Sequence, residues 1–493
     1  MVIKTRFAPS PTGYLHIGNL RTALYSYLFA KQNNGKFLLR IEDTDRKRYV
    51  ADGVTNILKS LYWAGIVPDE GVKLDCGSTG EYQVIQAGNN GPYIQSERLN
   101  IYKKYVDELI EKDHAYYCFC TSKRLAELRE YQQDKKLPTG YDGQCLEINI
   151  EEAKKRILAG EKYVVRMKMP KIGEIVFKDL IRGEVKIKNE LVDDQVLLKS
   201  DGFPTYHLAV VVDDHLMEIT HIIRGEEWIS SVPKHIQLYK YFGWEVPQMA
   251  HLSLLLNSDK SKLSKRQGDV AVEDYIKKGY LPETIVNFIA FLGWNPGGDK
   301  ELFTLDELIK EFSLEKVGKS GAVFNLEKLD WYSTQHIKAT DLTELTNKCL
   351  PFLEKAGFKN EKFDWLKKVV NLEKERISKL SDLPDAIRFI FELPNYDSNL
   401  LVWKKSIAQE TKNNLIKLKE FLNTISVQEW NLTTLQQKVG EWIKTSNLTN
   451  GEVLWPIRVA LSGQQNSPGP YEIADVLGKE KTIERIELAI SKL

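Results

Sequence analysis

The chain has 493 residues, 28% of them charged, with a net charge of +1. That length predicts several domains, each with its own core, and the charge balance excludes a global field drawing nucleic acid to the whole molecule, so any RNA-binding surface has to be local. No apolar run approaches the ~20 residues that span a bilayer, no charged-then-apolar leader opens the chain, and five cysteines argue for a reducing compartment, so the expected location is cytoplasmic with no membrane partner.

The first informative stretch is residues 5–19, TRFAPSPTGYLHIGN. Val2, Ile3 and Phe7 suggest a strand that enters a turn dense in Pro9, Pro11 and Gly13. An amphipathic helix with Leu20, Ala23, Leu24, Tyr27 and Leu28 on one face follows. At a strand–turn–helix junction the first helical N–H groups have no intrahelical partner, which makes an anion site. Gly18 allows close backbone approach and His16 can donate to a phosphate oxygen. With a second strand over residues 36–43, KFLLRIED, the opening reads as one βαβ unit of a parallel nucleotide-binding sheet.

A helix from Asp52 to Gly65 follows, then a Gly-rich region over residues 77–91. Ser96 is the expected N-cap of a helix carrying Leu99, Tyr102, Val106, Leu109 and Ile110. Strand-like runs over residues 163–169, 175–177 and 184–187 with a charged helix between them predict an inserted α/β domain, since a crossover between parallel strands needs far fewer residues. Inside it Cys118, Cys120 and Cys145 form a thiolate set that suits Zn²⁺, the fourth ligand being open between Tyr141 and Glu147. The competing reading is a pair of buried thiols alternating in a strand. Residues 207–212, apolar and β-branched, predict a strand covered on both faces. Residues 221–223 predict another, Ser230 or Ser231 a cap for a helix with Pro233 in its first turn, and residues 251–256 a last strand. A polar loop with Lys262, Lys265 and Arg266 (KLSKR) comes next. Residues 268–335 read as helices punctuated by Gly and Pro. From about Leu342 the pattern is helical throughout, with stripes such as Leu342, Leu345, Cys349 and Phe352, or Leu435, Val439, Trp442 and Ile443.

HIGN at residues 16–19 and KLSKR at residues 262–266 resemble the paired HIGH-like and KMSKS-like motifs of class I aminoacyl-tRNA synthetases. RFAPSPTGYLHIGN, LLRIEDTDR, PTYHLAVVVDDH and HIIRGEEW narrow the resemblance to the bacterial glutamyl-tRNA synthetases, from residue 3 to about 335, and LWPIRVALSG and GKEKTIERI extend it more loosely. The fold implied is α/β: a Rossmann-type parallel sheet split by an inserted α/β domain, followed by all-α C-terminal domains. Its parts would be residues 1–115 and 203–257 (catalytic halves), 116–202 (inserted, acceptor-stem-binding), 258–335 (KMSKS loop and stem contact) and 336–493 (helical, anticodon-binding).

The resemblance implies a ligase that activates L-glutamate with ATP to glutamyl-adenylate. It would transfer the glutamyl group to the 2′-hydroxyl of the 3′-terminal adenosine of tRNA(Glu), with tRNA bound first, Mg²⁺ accompanying ATP, and the chain a monomer. His16, Gly18, Lys262, Lys265 and Arg266 would serve the triphosphate. Arg6, Ser10, Glu42, Tyr206 and Arg224 would bind glutamate, two cations and one acid matching a ligand with two carboxylates and one ammonium. Glu227 and Lys265 would contact ATP, and Arg376, in a helix around Leu372, the anticodon. Some relatives hold zinc with Cys-x-Cys, a later Cys and a His or Tyr, which keeps Cys118, Cys120, Tyr141 and Cys145 as the metal set. Asn19 replaces the second His of the first motif, and Val210 replaces an Asn that some relatives use as a side-chain contact.

Other classes fit less well. A shortened relative that glutamylates a modified tRNA base would lack the ~150-residue helical module. A tRNA-binding protein without catalysis would have lost His16, KLSKR or the Arg6/Arg224 pair. A glutaminyl enzyme would not need so cationic a pocket and, in bacteria, ends in β-barrels.

Overall fold

The computed structural model describes residues 2–76, 81–263, 270–359, 361–404 and 406–493. Lys265 and Arg266 lie outside them. The chain divides into two compact units, Met1–Ile276 with Pro282–Leu326, and Lys277–Leu281 with Glu327–Leu493.

In the first unit β1 (Lys4–Phe7), α1 (Ile17–Gln32) and β2 (Lys36–Leu39) form the expected βαβ unit. The strands pair in parallel, Arg6 opposite Leu38, and α1 buries Leu20, Ala23, Leu24 and Leu28. After α2 (Gly53–Trp63) comes a hairpin, β3 (Glu70–Cys76) and β4 (Tyr82–Ala87), part of which falls in the Gly-rich region over residues 77–91. Val72 and Leu74 of β3 are buried, but β4 is exposed along most of its length, so it has no apolar alternation for the sequence to show. A 3₁₀ turn, Gln95–Arg98, precedes α3 (Leu99–Glu111). Ser96 is therefore not an N-cap: it sits inside that turn, and its own N–H donates to Asp43 Oδ1 at 2.8 Å.

The next stretch carries β5 (Ala115–Cys118), α4 (Ser122–Asp134), α5 (Ile150–Leu158), β6 (Val164–Met167), β7 (Glu174–Asp179), β8 (Gly183–Lys188) and β9 (Val196–Leu198). β5, β6 and β9 make a small antiparallel sheet. Hairpin β7–β8 leaves it and joins the edge of the large sheet, Asp179 lying opposite Met249.

Residues 207–212 are not a strand. They belong to α6 (Tyr206–Leu216), whose N-cap Thr205 has extended backbone angles and in which Leu208 through Asp214 are all buried. A short run buried all round carries no periodicity to separate helix from strand, and β-branching tipped the sequence reading the wrong way. β10 (His221–Gly225), α7 (Val232–Phe242) with Pro233 in its first turn, β11 (Gln248–Leu252) and β12 (Leu255–Leu256) follow. The unit ends with α8 (Val272–Lys277), α9 (Pro282–Ala290), α10 (Leu305–Glu311) and β13 (Ala322–Val323), which pairs with β12.

Among the described residues the large sheet has eight strands in the order β4-β3-β2-β1-β10-β11-β7-β8. Its central pairs are parallel and the two edge hairpins antiparallel. The chain reverses direction across the sheet between β1 and β10, and in such sheets ligands bind beyond the carboxyl ends of the strands at that switch.

The second unit is helical in its described residues: α11 (Leu326–Ala339), α12 (Leu342–Lys355), α13 (Phe363–Glu373), α14 (Leu383–Phe391), α15 (Ala408–Asn423), α16 (Leu432–Thr445), α17 (Asn450–Ser462) and α18 (Pro470–Lys492). Both stripes read from the sequence contribute to its core, Leu345, Cys349, Leu435, Val439 and Ile443 being buried and Leu342, Phe352 and Trp442 packed against them.

Candidate active site and metal centre

Arg6 lies on β1, Glu42 beyond β2, Arg224 on β10 and Tyr206 at the start of α6. Each occupies the carboxyl side of the parallel sheet. Their shared neighbourhood shows in the Tyr206 phenol, which burial pushes up, while the charges of Arg224, Glu42, Arg6 and Asp214 all act on it.

Neither arginine is bare. Arg6 donates through Nε and Nη2 to Asp214 at 3.2 and 3.4 Å, leaving Nη1 outside that pair. Asp214 also accepts from Arg40 Nη1 at 2.8 Å, and Arg40 Nη2 donates to Glu42 at 3.0 Å. Burial opposes ionisation of Asp214, yet Arg6 and Arg40 together hold its carboxyl below the usual range. For Glu42 burial wins over the same two arginines and raises its carboxyl. One residue earlier, Asp213 accepts from Arg98 Nε at 2.7 Å, Gln95 Nε2 at 2.9 Å and the Tyr102 hydroxyl at 2.9 Å. Arg224 donates from Nη1 to the Tyr206 hydroxyl at 3.0 Å and from Nε to His251 Nε2 at 3.0 Å.

The sequence offers Arg6 and Arg224 as the two cations of a set with one acid, Glu42. In the structure Arg6 is compensated by the buried carboxylate of Asp214, and Arg224 is held by the uncharged Tyr206 hydroxyl and the His251 ring. Arg40, Asp213 and Asp214 went unnoticed in the sequence. The available signal was a charge embedded in apolar text, as in LLRIED and VVVDDH, because a fully buried charge requires a partner.

His16 is the N-cap of α1, its Nδ1 accepting from Gly18 N at 2.9 Å. That bond leaves the proton of a neutral ring on Nε2. A Cβ on Gly18 would stand 3.2 Å from His16 Nδ1, so glycine here keeps the imidazole in place. Lys262 is exposed and pairs by a β-bridge with Leu256. Ser10 is exposed on the turn after β1, and Glu227 is exposed in the 3₁₀ turn Glu226–Ser231. Val210 is buried in the core beside α3 and α7. Arg376 differs from expectation: α13 ends at Glu373, so it lies in the following turn, bound through Nε to Glu373 at 3.0 Å.

The cysteine cluster assembles. The Sγ atoms of Cys118, Cys120 and Cys145 lie within 4.8 Å of one another. The Tyr141 hydroxyl stands 3.4 Å from Cys118 Sγ and 3.6 Å from Cys120 Sγ, and accepts from Cys145 N at 2.9 Å. Sulfurs at about 2.3 Å from a tetrahedral zinc are separated by slightly under 4 Å, close to the 3.6 Å between Cys120 and Cys145. Three thiols and one phenol oxygen therefore suit such an ion. Glu147 is exposed and is not among the metal-ligating side chains gathered with the three thiols in the described residues, which favours Tyr141 as the fourth group. The Arg166 guanidinium lies 3.8 Å over the Tyr141 ring, and burial pushes the Cys120 thiol up to about 11.

Residues 2–331 match the family model "tRNA synthetases class I (E and Q), catalytic domain", and residues 344–490 match "Anticodon binding domain". A glutamate–tRNA ligase of Alkaliphilus metalliredigens is 46% identical, with 98% of each chain covered. That of Clostridioides difficile is 46% identical over 99% of this chain and 98% of its own. The crystal structure of a glutamate tRNA ligase from Elizabethkingia meningosepticum in complex with its amino acid matches with a TM-score of 0.87 at 35% identity, covering 100% of this chain and 99% of that one.

Proposed function

The chain belongs to the class I tRNA synthetases for glutamate and glutamine, and we propose that it acts as a glutamate–tRNA ligase that forms glutamyl-adenylate from L-glutamate and ATP and charges the 3′-terminal adenosine of tRNA(Glu). The observation that carries the choice of amino acid is the convergence of Arg6, Arg224 and Glu42 around Tyr206. A guanidinium matches a carboxylate with two parallel N–H donors, so two arginines suit a diacid, and Glu42 suits its ammonium. Ser10 lies at the same end of the sheet and is proposed as a further polar contact.

Attack of the α-carboxylate on the α-phosphorus of ATP expels pyrophosphate, a step governed by positioning and charge stabilisation. His16 and the start of α1 beside Gly18 supply donors for the triphosphate, Glu227 a nucleotide contact, and Lys262, Lys265 and Arg266 cations for the departing pyrophosphate. Mg²⁺ would neutralise part of the nucleotide's charge. Zinc, held by Cys118, Cys120, Cys145 and Tyr141, would cross-link β5 to the loop after α4. The helical unit would recognise the anticodon, with Arg376 one contact, and the α/β segment around residues 116–202 the acceptor end. The chain acts in the cytoplasm as a monomer.

ATP–pyrophosphate exchange with glutamate and glutamine, each with and without tRNA(Glu), tests the proposal. Exchange with glutamate only when tRNA is present is expected. Glutamine-driven exchange would overturn the substrate assignment.

A further inference from the structure

Behind Arg224, on the side away from Tyr206, two further buried residues continue the hydrogen-bonded chain. His251 on β11 has no solvent exposure, and Asp179, the last residue of β7, is 1% exposed. His251 Nε2 faces Arg224 Nε at 3.0 Å and His251 Nδ1 faces Asp179 Oδ2 at 2.6 Å. Arginine has only donors. His251 Nε2 must therefore accept, and the ring proton must sit on Nδ1, directed at Asp179.

Asp179 is itself fixed. Its Oδ1 accepts from Ile181 N at 2.9 Å and Arg182 N at 2.8 Å, so only Oδ2 is turned to the imidazole. Arg182 extends the arrangement, donating to Lys319 O at 2.7 Å and to Glu226 Oε2 at 2.5 Å, while Leu254 N donates to Glu226 Oε1 at 2.9 Å. The turn of hairpin β7–β8 is thus tied to the strand ends around the pocket.

We propose that Asp179 and His251 are positioning residues for amino-acid recognition: Asp179 fixes the His251 tautomer and His251 holds the Nε edge of Arg224, which sets the plane of a guanidinium whose terminal nitrogens, in contact with Tyr206, His235 Nδ1 and Trp228 O, keep their remaining N–H groups for a substrate carboxylate. This rests on the assignment of Arg224 to glutamate binding. The same alignment of an imidazole by a buried carboxylate orients groups at other sites, where the wrong tautomer is costly. Here the aligned group is a guanidinium, and the effect falls on binding of one substrate.

Asp179→Asn tests it. The two backbone N–H groups keep the amide oxygen at the Oδ1 position, so the NH₂ faces His251 Nδ1, forces the ring proton to Nε2 and sets it against Arg224 Nε–H. The expected result, measured on the full chain with tRNA, is a KM for glutamate raised about tenfold to a hundredfold with the KM for ATP within twofold of the wild type. The wild type and Arg224→Ala are run alongside. No glutamate-dependent exchange by the wild type, or an unchanged glutamate KM in Arg224→Ala, would sink the functional reading itself. A glutamate KM raised in Arg224→Ala but unchanged in folded Asp179→Asn would overturn the positioning role alone. Nitrogen NMR of wild-type protein labelled at histidine gives a reading that needs no variant: a proton on His251 Nδ1 supports the proposal, and one on Nε2 overturns it.

Discussion

At the residue scale the site depends on charges buried in pairs. Asp213 has no solvent exposure and neutralises Arg98 while lying 3.6 Å from Arg40 Nε. Asp213→Ala leaves the buried Arg98 guanidinium without its carboxylate, Arg40 keeping Asp214 and Glu42, and should destabilise the first unit by about 3–5 kcal/mol, read as a lower urea midpoint. Glu42 gives a pH prediction. Burial raises its carboxyl above the ordinary 4.5, so on acidification it loses charge earlier than a surface glutamate, and in the role proposed for it would stop accepting the substrate's ammonium. The KM for glutamate should rise as pH falls through that raised value, and Glu42→Gln should remove this limb. At the thiolate cluster, protein purified without chelator should contain close to one zinc per chain by elemental analysis. Cys120→Ser and Tyr141→Phe should lower that content, and Glu147→Gln should not. Arg6, His16 and Arg224 could be found in the sequence because they sit inside distinctive local text. Asp179 and His251 could not, since 72 positions separate two residues that meet only when β7 joins the sheet beside β11.

At the scale of elements, the helices with one buried face were legible because their period survives in the text, as in α3 and α16. Helix α6 was not, since burial on all sides erased its period. The hairpin β3–β4 was hard to see because β4 is exposed along most of its length and shows no buried face. One glycine has an element to itself: α18 passes through Gly478 with φ 77° and ψ 169°, and no atom lies within 4 Å of the Cβ position. That backbone region is nearly exclusive to glycine, so Gly478→Ala should cost about 1–3 kcal/mol through conformation alone, seen as a lower denaturation midpoint of the helical unit with the first unit unchanged.

For the whole molecule, acid sensitivity should be uneven. His114, His207, His215, His221, His235 and His251 all titrate below the ordinary 6.5, burial being the largest cause in each, with His207 at about 4. All six lie in the first unit. The unfolded chain takes up protons near pH 6.5 that these folded sites refuse, so the stability they lend above that value is lost as pH falls toward the folded values. Calorimetry between pH 7 and about 4 should show the melting of the first unit moving down further than that of the helical unit. His207→Gln should flatten part of that slope. The placement of β7–β8 also bears on anyone who wishes to trim or transplant the segment between β5 and β9. Excision at its sequence borders would strip the flank of β11 and take away the carboxylate that anchors His251, whereas a graft that spares residues 174–188 leaves the parent sheet whole. Modularity in this chain therefore follows the hydrogen-bonded ladder, and a cut chosen from sequence order alone would cross it.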